Sequence, residues 1–311
     1  MCAEAPFSIN AFERPGSSNG ATMRPAAFEY HRAEALEHAL TLLAEFGDEG
    51  RPLAGGQSLV PMMNLRVARP EHLVDINGLD CDGVERDGGM LRIGALVRHE
   101  RHLAEPLIAE HLPALVEGVR AIGHPTIRRH GSLAGSLAHA DPTAELPLLC
   151  VLYDAQIVAM SIAGERRIPA DEFFNGAYTT ALLPGEMITA VEIPIATSTT
   201  TGAFIEMGER RGDFAIAAGT ASLEFEDGRI TRASVACSGA AMTPMRAPDV
   251  ELALVGRSLA EPGAEEAVAA YAASLAPLAD HFATADYRRA LIRELLDRAI
   301  TTACSRALGA A

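Results

Sequence analysis

Positive charge is scarce in this chain: 26 Lys and Arg stand against 41 Asp and Glu in 311 residues, a formal net charge of −15. Such a surface repels polyphosphate backbones, which argues against nucleic acid as a partner. An anionic ligand would have to be held by local backbone dipoles rather than by the field of the whole protein. Cysteine is sparse as well. Cys2, Cys81, Cys150, Cys237 and Cys304 are odd in number, far apart and never in CxxC spacing, so neither a disulfide framework nor an iron–sulfur site is encoded. They read as small buried hydrophobes of a cytoplasmic protein. No apolar run approaches the roughly 20 residues of a membrane span, and no charged-then-apolar signal opens the chain. GxGxxG and GxxxxGK[ST] are both missing, which removes support for Rossmann-type NAD binding and P-loop ATP binding.

What is present is a large apolar fraction, 49%, enough for one to three compact domains. Residues 1–22 lack periodicity and are expected to be a disordered extension or a misplaced start. From Glu34 to Phe46, Leu36, Ala39, Leu40 and Leu43 recur at helical spacing. A buried strand over Pro52-Leu53-Ala54 then runs into Gly55-Gly56-Gln57-Ser58, with a helix expected over Leu59 to Val67 and Ser58 as its N-cap. Strands are read at 72–76, 90–95, 156–161 and 187–193, and helices at 97–103 and 112–122. Pro194 to Thr201 shows neither pattern and reads as a linker, placing a domain boundary near 198–202. Beyond it, strands at 204–207, 215–226 and 229–237, the last two joined by Asp227-Gly228, predict an antiparallel sheet. A helix from Tyr287 to Leu308 closes the chain.

Two glycine-rich segments carry the chemistry. At Ala54-Gly55-Gly56-Gln57-Ser58 a strand empties into residues without a Cβ, so successive N–H groups can turn inward around an anion, helped by the serine hydroxyl and a following helix N-terminus. An ordinary strand-to-helix turn has the same composition. The second segment, Ser132-Leu133-Ala134-Gly135-Ser136, offers small residues and two hydroxyls, again without a lysine. Together the two could clamp a pyrophosphate with neutral donors. Glu145 downstream could accept from a ribityl or ribose hydroxyl, or simply be a solvated helix carboxylate. His124, His130, His139 and Asp141 crowd this region, but their intervals fit no zinc pattern, so anchoring the loop is the expected role and no metal is assigned. Arg128 and Arg129 are expected to brace the loop or face a partner.

In order and spacing, Ala54-Gly55-Gly56-Gln57-Ser58-Leu59, the stretch from Ile122 to Pro142, Phe173 to Thr180, and Glu209-Arg210-Arg211-Gly212-Asp213-Phe214-Ala215 follow one signature. The chain resembles the FAD-binding medium subunit of the carbon monoxide dehydrogenase and xanthine dehydrogenase family from about Met23 onward. That resemblance implies an α+β protein: a two-part PCMH-type FAD-binding domain over about 23–198, then a C-terminal α+β domain over 202–308 with a three-stranded antiparallel sheet packed on helices. It implies that FAD is held by Ala54, Gly55, Gly56, Gln57, Ser58 and Leu59, by Ser132, Leu133, Ala134, Gly135 and Ser136, and by Glu145. Asp213 and Phe214 would lie beside the isoalloxazine ring, and no residue of this chain would be catalytic. The implied partners are a large molybdopterin-binding subunit and a small iron–sulfur subunit, in a dimer of heterotrimers that passes electrons through FAD to an external acceptor. Two departures stand out. Ala134 replaces a usual glycine, and Glu206 stands where some relatives carry a flavin-contacting lysine. A self-contained PCMH-type flavin oxidase and a flavin-free assembly subunit are the alternatives left open at this point.

Overall fold

The structure is a computed structural model that describes residues 23–196 and 199–309. The extension expected over 1–22, together with Cys2, lies outside the described residues. The first layer is a three-stranded parallel sheet in the order β1-β3-β2, built from β1 (Glu29–Arg32), β2 (Gly50–Leu53) and β3 (His72–Asp75). Helix α1 (Leu36–Phe46) buries Ala39, Leu40 and Leu43 against it, beside Val74 and Ile76. Strand β1 is invisible in the sequence because Glu-Tyr-His-Arg has no alternation of apolar and polar residues. Helix α2 (Leu59–Asn64) stops short of the expected Val67, and Arg66 takes a positive φ of 58°. Ser58 is helical in backbone and makes no capping bond, contrary to expectation.

The second layer begins with the β4 (Val84–Asp87) and β5 (Met90–Gly94) hairpin. A run of short helices follows: α3 (His99–His102), α4 (Pro106–His111), α5 (Pro113–Ala121), α6 (Pro125–His130), α7 (Leu133–His139) and α8 (Glu145–Leu152). Then come β6 (Gln156–Ser161), β7 (Gly164–Pro169), α9 (Ala170–Phe173), β8 (Phe174–Gly176), β9 (Thr179–Thr180) and β10 (Met187–Pro194). The larger sheet is antiparallel in the order β4-β5-β10-β6-β7. Helix α8 is buried at every position from Leu146 to Leu152, so it has no amphipathic stripe for periodicity to reveal.

The third layer contains β11 (Thr199–Gly208), β12 (Ala215–Glu226), β13 (Arg229–Ser238), β14 (Met245–Arg246), α10 (Pro248–Leu254), α11 (Glu265–Ser274) and α12 (Ala285–Gly309). Its antiparallel sheet runs β11-β12-β13-β14, so two-residue β14 adds a fourth strand to the three expected. Strand β11 starts at Thr199, inside the stretch read as linker, because three consecutive β-branched threonines suit a pleated surface better than their polarity suggested. Asp227 and Gly228 have φ of 50° and 72°, the two positive values a type I′ hairpin requires. One face of this sheet meets α12 through Leu291, Ile292, Leu295, Leu296, Ala299 and Ile300, all buried. The other face sends Phe204, Ala218 and Ala236 into the core that holds Leu115 and Leu149 of α5 and α8.

Candidate flavin site

The first glycine loop leaves the C-terminal end of β2, the place where parallel sheets present ligand-binding loops. Gly56 takes φ +66°, a conformation that suits glycine, and turns the chain back so that Val60 N–H donates to its carbonyl at 3.1 Å. The side chain of Gln57 donates to the Gly55 carbonyl at 3.1 Å and fixes the turn from within. Among the described residues, no backbone N–H of Gly55, Gly56, Gln57 or Ser58 is spent on a protein acceptor. Four adjacent free donors are what an anion nest needs. Helix α2, with six residues, adds little dipole to them.

The second loop reaches the same place. A Cβ on Gly55 would stand 1.9 Å from the His130 carbonyl oxygen and 3.1 Å from Gly131 Cα, so the two loops touch backbone to backbone, 75 positions apart in the sequence. Two side chains that sequence reasoning missed staple them. Asn77 Nδ2 donates to the carbonyls of Leu53 (3.2 Å) and Ala54 (3.0 Å). Arg98 then donates to Asn77 Oδ1 and to the His130 carbonyl, each at 2.5 Å. Asn77 follows the β3 strand end, and that position was the one available signal.

The second loop is not the open cradle expected. Leu133 and Ala134 donate their N–H groups to Val97 and Ala95 at 3.1 Å each, Gly135 N–H goes to Ser132 Oγ at 3.3 Å, and Ser136 N–H goes to Ser132 O at 3.1 Å. Ser132, Leu133 and Ala134 are buried, which leaves Gly135 and Ser136 on the surface. The reason is topological: residues 131–134 lie antiparallel against residues 95–99, and that pairing consumes the amides. Ala134 is an ordinary helical residue of α7 packed in the core, so the methyl it carries in place of glycine strains nothing. Beneath the loop, a Cβ on Gly131 would fall 2.5 Å from the His99 ring. Burial pushes His99 down to about 3 and His102 to about 4, so both rings are neutral.

Arg128 braces the approach to the loop by donating to the carbonyls of Ile122 (2.9 Å) and Gly123 (3.2 Å). Against that bend lies the turn from Glu209 to Phe214, since a Cβ on Gly212 (φ +87°) would meet the Gly123 carbonyl oxygen at 2.9 Å. Phe214 is 76% exposed, an uncovered aromatic ring at the end of that turn. Past α7, Asp141 accepts from Thr143 (2.9 Å) and from the Tyr178 hydroxyl (3.1 Å), which the β8–β9 hairpin delivers. His124, His130, His139 and Asp141 do not gather as ligands among the described residues.

Glu145, partly buried at the start of α8, is not a fully solvated carboxylate. Burial, and then the facing carboxylate of Glu206, raise it to about 8, with Asp141 adding a little and a backbone hydrogen bond opposing. Burial alone raises Glu206 to about 7, and its Oε2 is buried with no hydrogen-bond partner among the described residues. The chain thus offers free amides in the first loop and, beyond α7 in the sequence, a pair of partly buried carboxyl groups. A cavity of about 330 Å³ between α5, β11 and α12 is bordered by Glu117, Arg120 and Arg306 and by none of these residues.

Unspent amides at the end of a parallel strand are the geometry of an anion-binding loop, and comparison with known proteins specifies the class. Residues 26–196 match the FAD binding domain in molybdopterin dehydrogenase, and residues 202–303 match the CO dehydrogenase flavoprotein C-terminal domain. Subunit alpha of the 6-hydroxypseudooxynicotine dehydrogenase complex of Paenarthrobacter nicotinovorans is 38% identical over 92% of this chain and 97% of its own length. The carbon monoxide dehydrogenase medium chain of Afipia carboxidovorans is 35% identical over 92% of this chain and 99% of its own. Among solved structures, Cu,Mo-CO dehydrogenase superposes with a TM-score of 0.87 at 34% identity, covering 91% of this chain and 99% of its own. Quinoline 2-oxidoreductase from Pseudomonas putida 86 gives a TM-score of 0.86 at 32% identity, with the same two coverages. The chain therefore belongs to the FAD-binding medium subunits of the molybdenum hydroxylase family. It is an oxidoreductase subunit whose cofactor is FAD. Among the described residues no helix is long and apolar enough to cross a membrane.

Proposed function

We propose that this chain is the electron outlet of a cytoplasmic three-subunit molybdenum hydroxylase, assembled as a dimer of heterotrimers. A large molybdopterin-binding subunit oxidises the substrate, a small iron–sulfur subunit collects the electrons, and this chain passes them to an external acceptor. Bound FAD supplies the redox chemistry, because a flavin exchanges electrons singly or in pairs. The protein binds and orients. The free amides of Gly55, Gly56, Gln57 and Ser58 hold the diphosphate, with Ala54 and Leu59 shaping that turn, while Gly135 and Ser136 close its other side. Ser132, Leu133 and Ala134 act from beneath by fixing the loop. Glu145 accepts from the ribityl and ribose hydroxyls, and Asp213 and Phe214 border the ring and limit access to it. Residues 23–198 and 202–308 are the two functional parts, the first gripping the cofactor and the second carrying the turn that covers it.

The observation that carries this reading is the contact of Gly55 with His130 and Gly131, which puts two distant loops on one face. Titration of the purified chain with FAD tests it, and one equivalent should bind with a matching rise in melting temperature. A chain that binds none would overturn the reading. Flavin bleached by an organic substrate in the absence of other subunits would instead establish a self-contained oxidase.

A further inference from the structure

At the opposite end of the small parallel sheet from the phosphate loops, two histidines and a glutamate converge. Parallel pairing sets Glu29 of β1 beside His72 of β3. Because side chains alternate along a strand, His31 shares the face of Glu29. His31 Nε2 lies 3.1 Å from His72 Nδ1, and Glu29 Oε2 lies 3.7 Å and 3.6 Å from those same two nitrogens. The point equidistant from the corners of that triangle is about 2.0 Å from each, which is the bond length of zinc to imidazole nitrogen and carboxylate oxygen. Nothing in the sequence announces this, since His31 and His72 are 41 positions apart.

The rings are held in place before any ion arrives. Phe46 stacks on His72 at 3.9 Å with 10° between the planes and lies 4.7 Å from the His31 ring. Main-chain bonds fix the strands at the same level, from Glu29 N–H to Glu71 O (2.7 Å) and from Glu71 N–H to Glu49 O (3.0 Å). Glu49 and Glu71 also bring carboxylate oxygens within 4.8 Å of a His72 ring nitrogen, so the surroundings favour a cation. No arginine or lysine ion-pairs with any of these three glutamates among the described residues. The His31 and His72 side chains are 21% and 19% exposed, so an ion can enter from solvent.

We propose that Glu29, His31 and His72 bind one divalent transition-metal ion of the zinc type, with a fourth position open to water. Its chemistry is that of a structural clip. It ties β1 to β3 at the strand starts, while the flavin loop leaves the far end of β2. The proposal is therefore independent of how FAD is held.

The test uses the full chain, stripped with a chelator and titrated with Co²⁺ and Zn²⁺. Wild type is compared with His31→Gln, His72→Gln, the double variant and Glu29→Gln, with His281→Gln at an exposed site as control. Wild type and the control should bind one equivalent of Co²⁺ with the visible d–d absorption of a low-symmetry nitrogen and oxygen site. Each histidine variant should weaken Zn²⁺ binding at least tenfold. Glu29→Gln, whose side chain is 67% exposed, should fold normally and still weaken binding, by about tenfold. Zn²⁺ should raise the melting temperature of wild type and not of the double variant. Equal affinity and equal spectra in wild type and double variant would overturn the proposal, as would the absence of stoichiometric binding by wild type.

Discussion

A methyl group on Gly55 would occupy the space of the His130 carbonyl oxygen, and because the neighbour is backbone, relief requires the two loops to part. Gly55→Ala is therefore expected to fold with an unchanged far-ultraviolet spectrum yet retain less than a tenth of the wild-type flavin absorbance per chain. Arg98→Ala leaves the Asn77 amide oxygen and the His130 carbonyl without their shared donor, which costs about 1–3 kcal/mol. A lowered melting temperature together with weaker FAD binding checks it. The carboxyl pair gives a pH signature. Glu145 and Glu206 sit at about 8 and about 7, above the ordinary 4.5, so the folded chain holds protons that the unfolded chain has released. Stability of the flavin-free protein should then be highest below pH 4.5 as far as these groups decide it, and should fall as pH rises to about 8. Glu206→Gln should raise stability by about 1–3 kcal/mol at pH 8 and leave it unchanged at pH 4, as read by urea unfolding at the two values. At this scale the turn of the first loop was legible, because Gly55 to Ser58 are consecutive and Gly56 takes the positive φ that suits glycine. Asn77 and Arg98 stayed hidden, since only the folded chain brings residues 54, 77, 98 and 130 together.

Helix α12 and strand β12 approach so closely that a Cβ on Gly219 would lie 2.8 Å from Leu295 carbonyl carbon and 2.9 Å from Leu296 nitrogen. Gly219→Ala should push the helix off the sheet, and Leu295→Ala, which empties a buried position, should cost about 2–5 kcal/mol. Chemical denaturation of both variants measures this, with no change in flavin contacts expected for Leu295→Ala once folded. The same elements show what patterning can reveal. The apolar stripe of α12 and the Asp227-Gly228 turn were readable because each is a local periodic or turn signal. Helix α8 was not, since a helix covered on all sides has no stripe, and β14 was not, since its two residues pair only because β13 offers an edge.

Across the whole molecule, a ligand that binds the native state alone adds stability by mass action, about 2.7 kcal/mol at a hundredfold excess over its dissociation constant. Saturating FAD should therefore raise the melting temperature of wild type and have little effect on Gly55→Ala. The hydrophobic interior is divided unequally. One cluster runs from Leu91 through α5 and α8 to Phe204, Ala218 and Ala236 of the C-terminal sheet, while the small parallel sheet has its own cluster around Leu40, Leu43 and Val74. A third cluster, around Leu223, Val235, Val250 and Ile292, lies wholly within the C-terminal segment, so the two matched segments keep separate cores and are joined where Phe204, Ala218 and Ala236 enter the first. Amide hydrogen exchange should show residues 91–195 and the C-terminal sheet, each with a large buried cluster of its own, among the last to open. Residues 29–76, which have the smallest of the three clusters, should open sooner, so the loop at Gly55 and Gly56 loosens while the segment that carries Ser136 still stands.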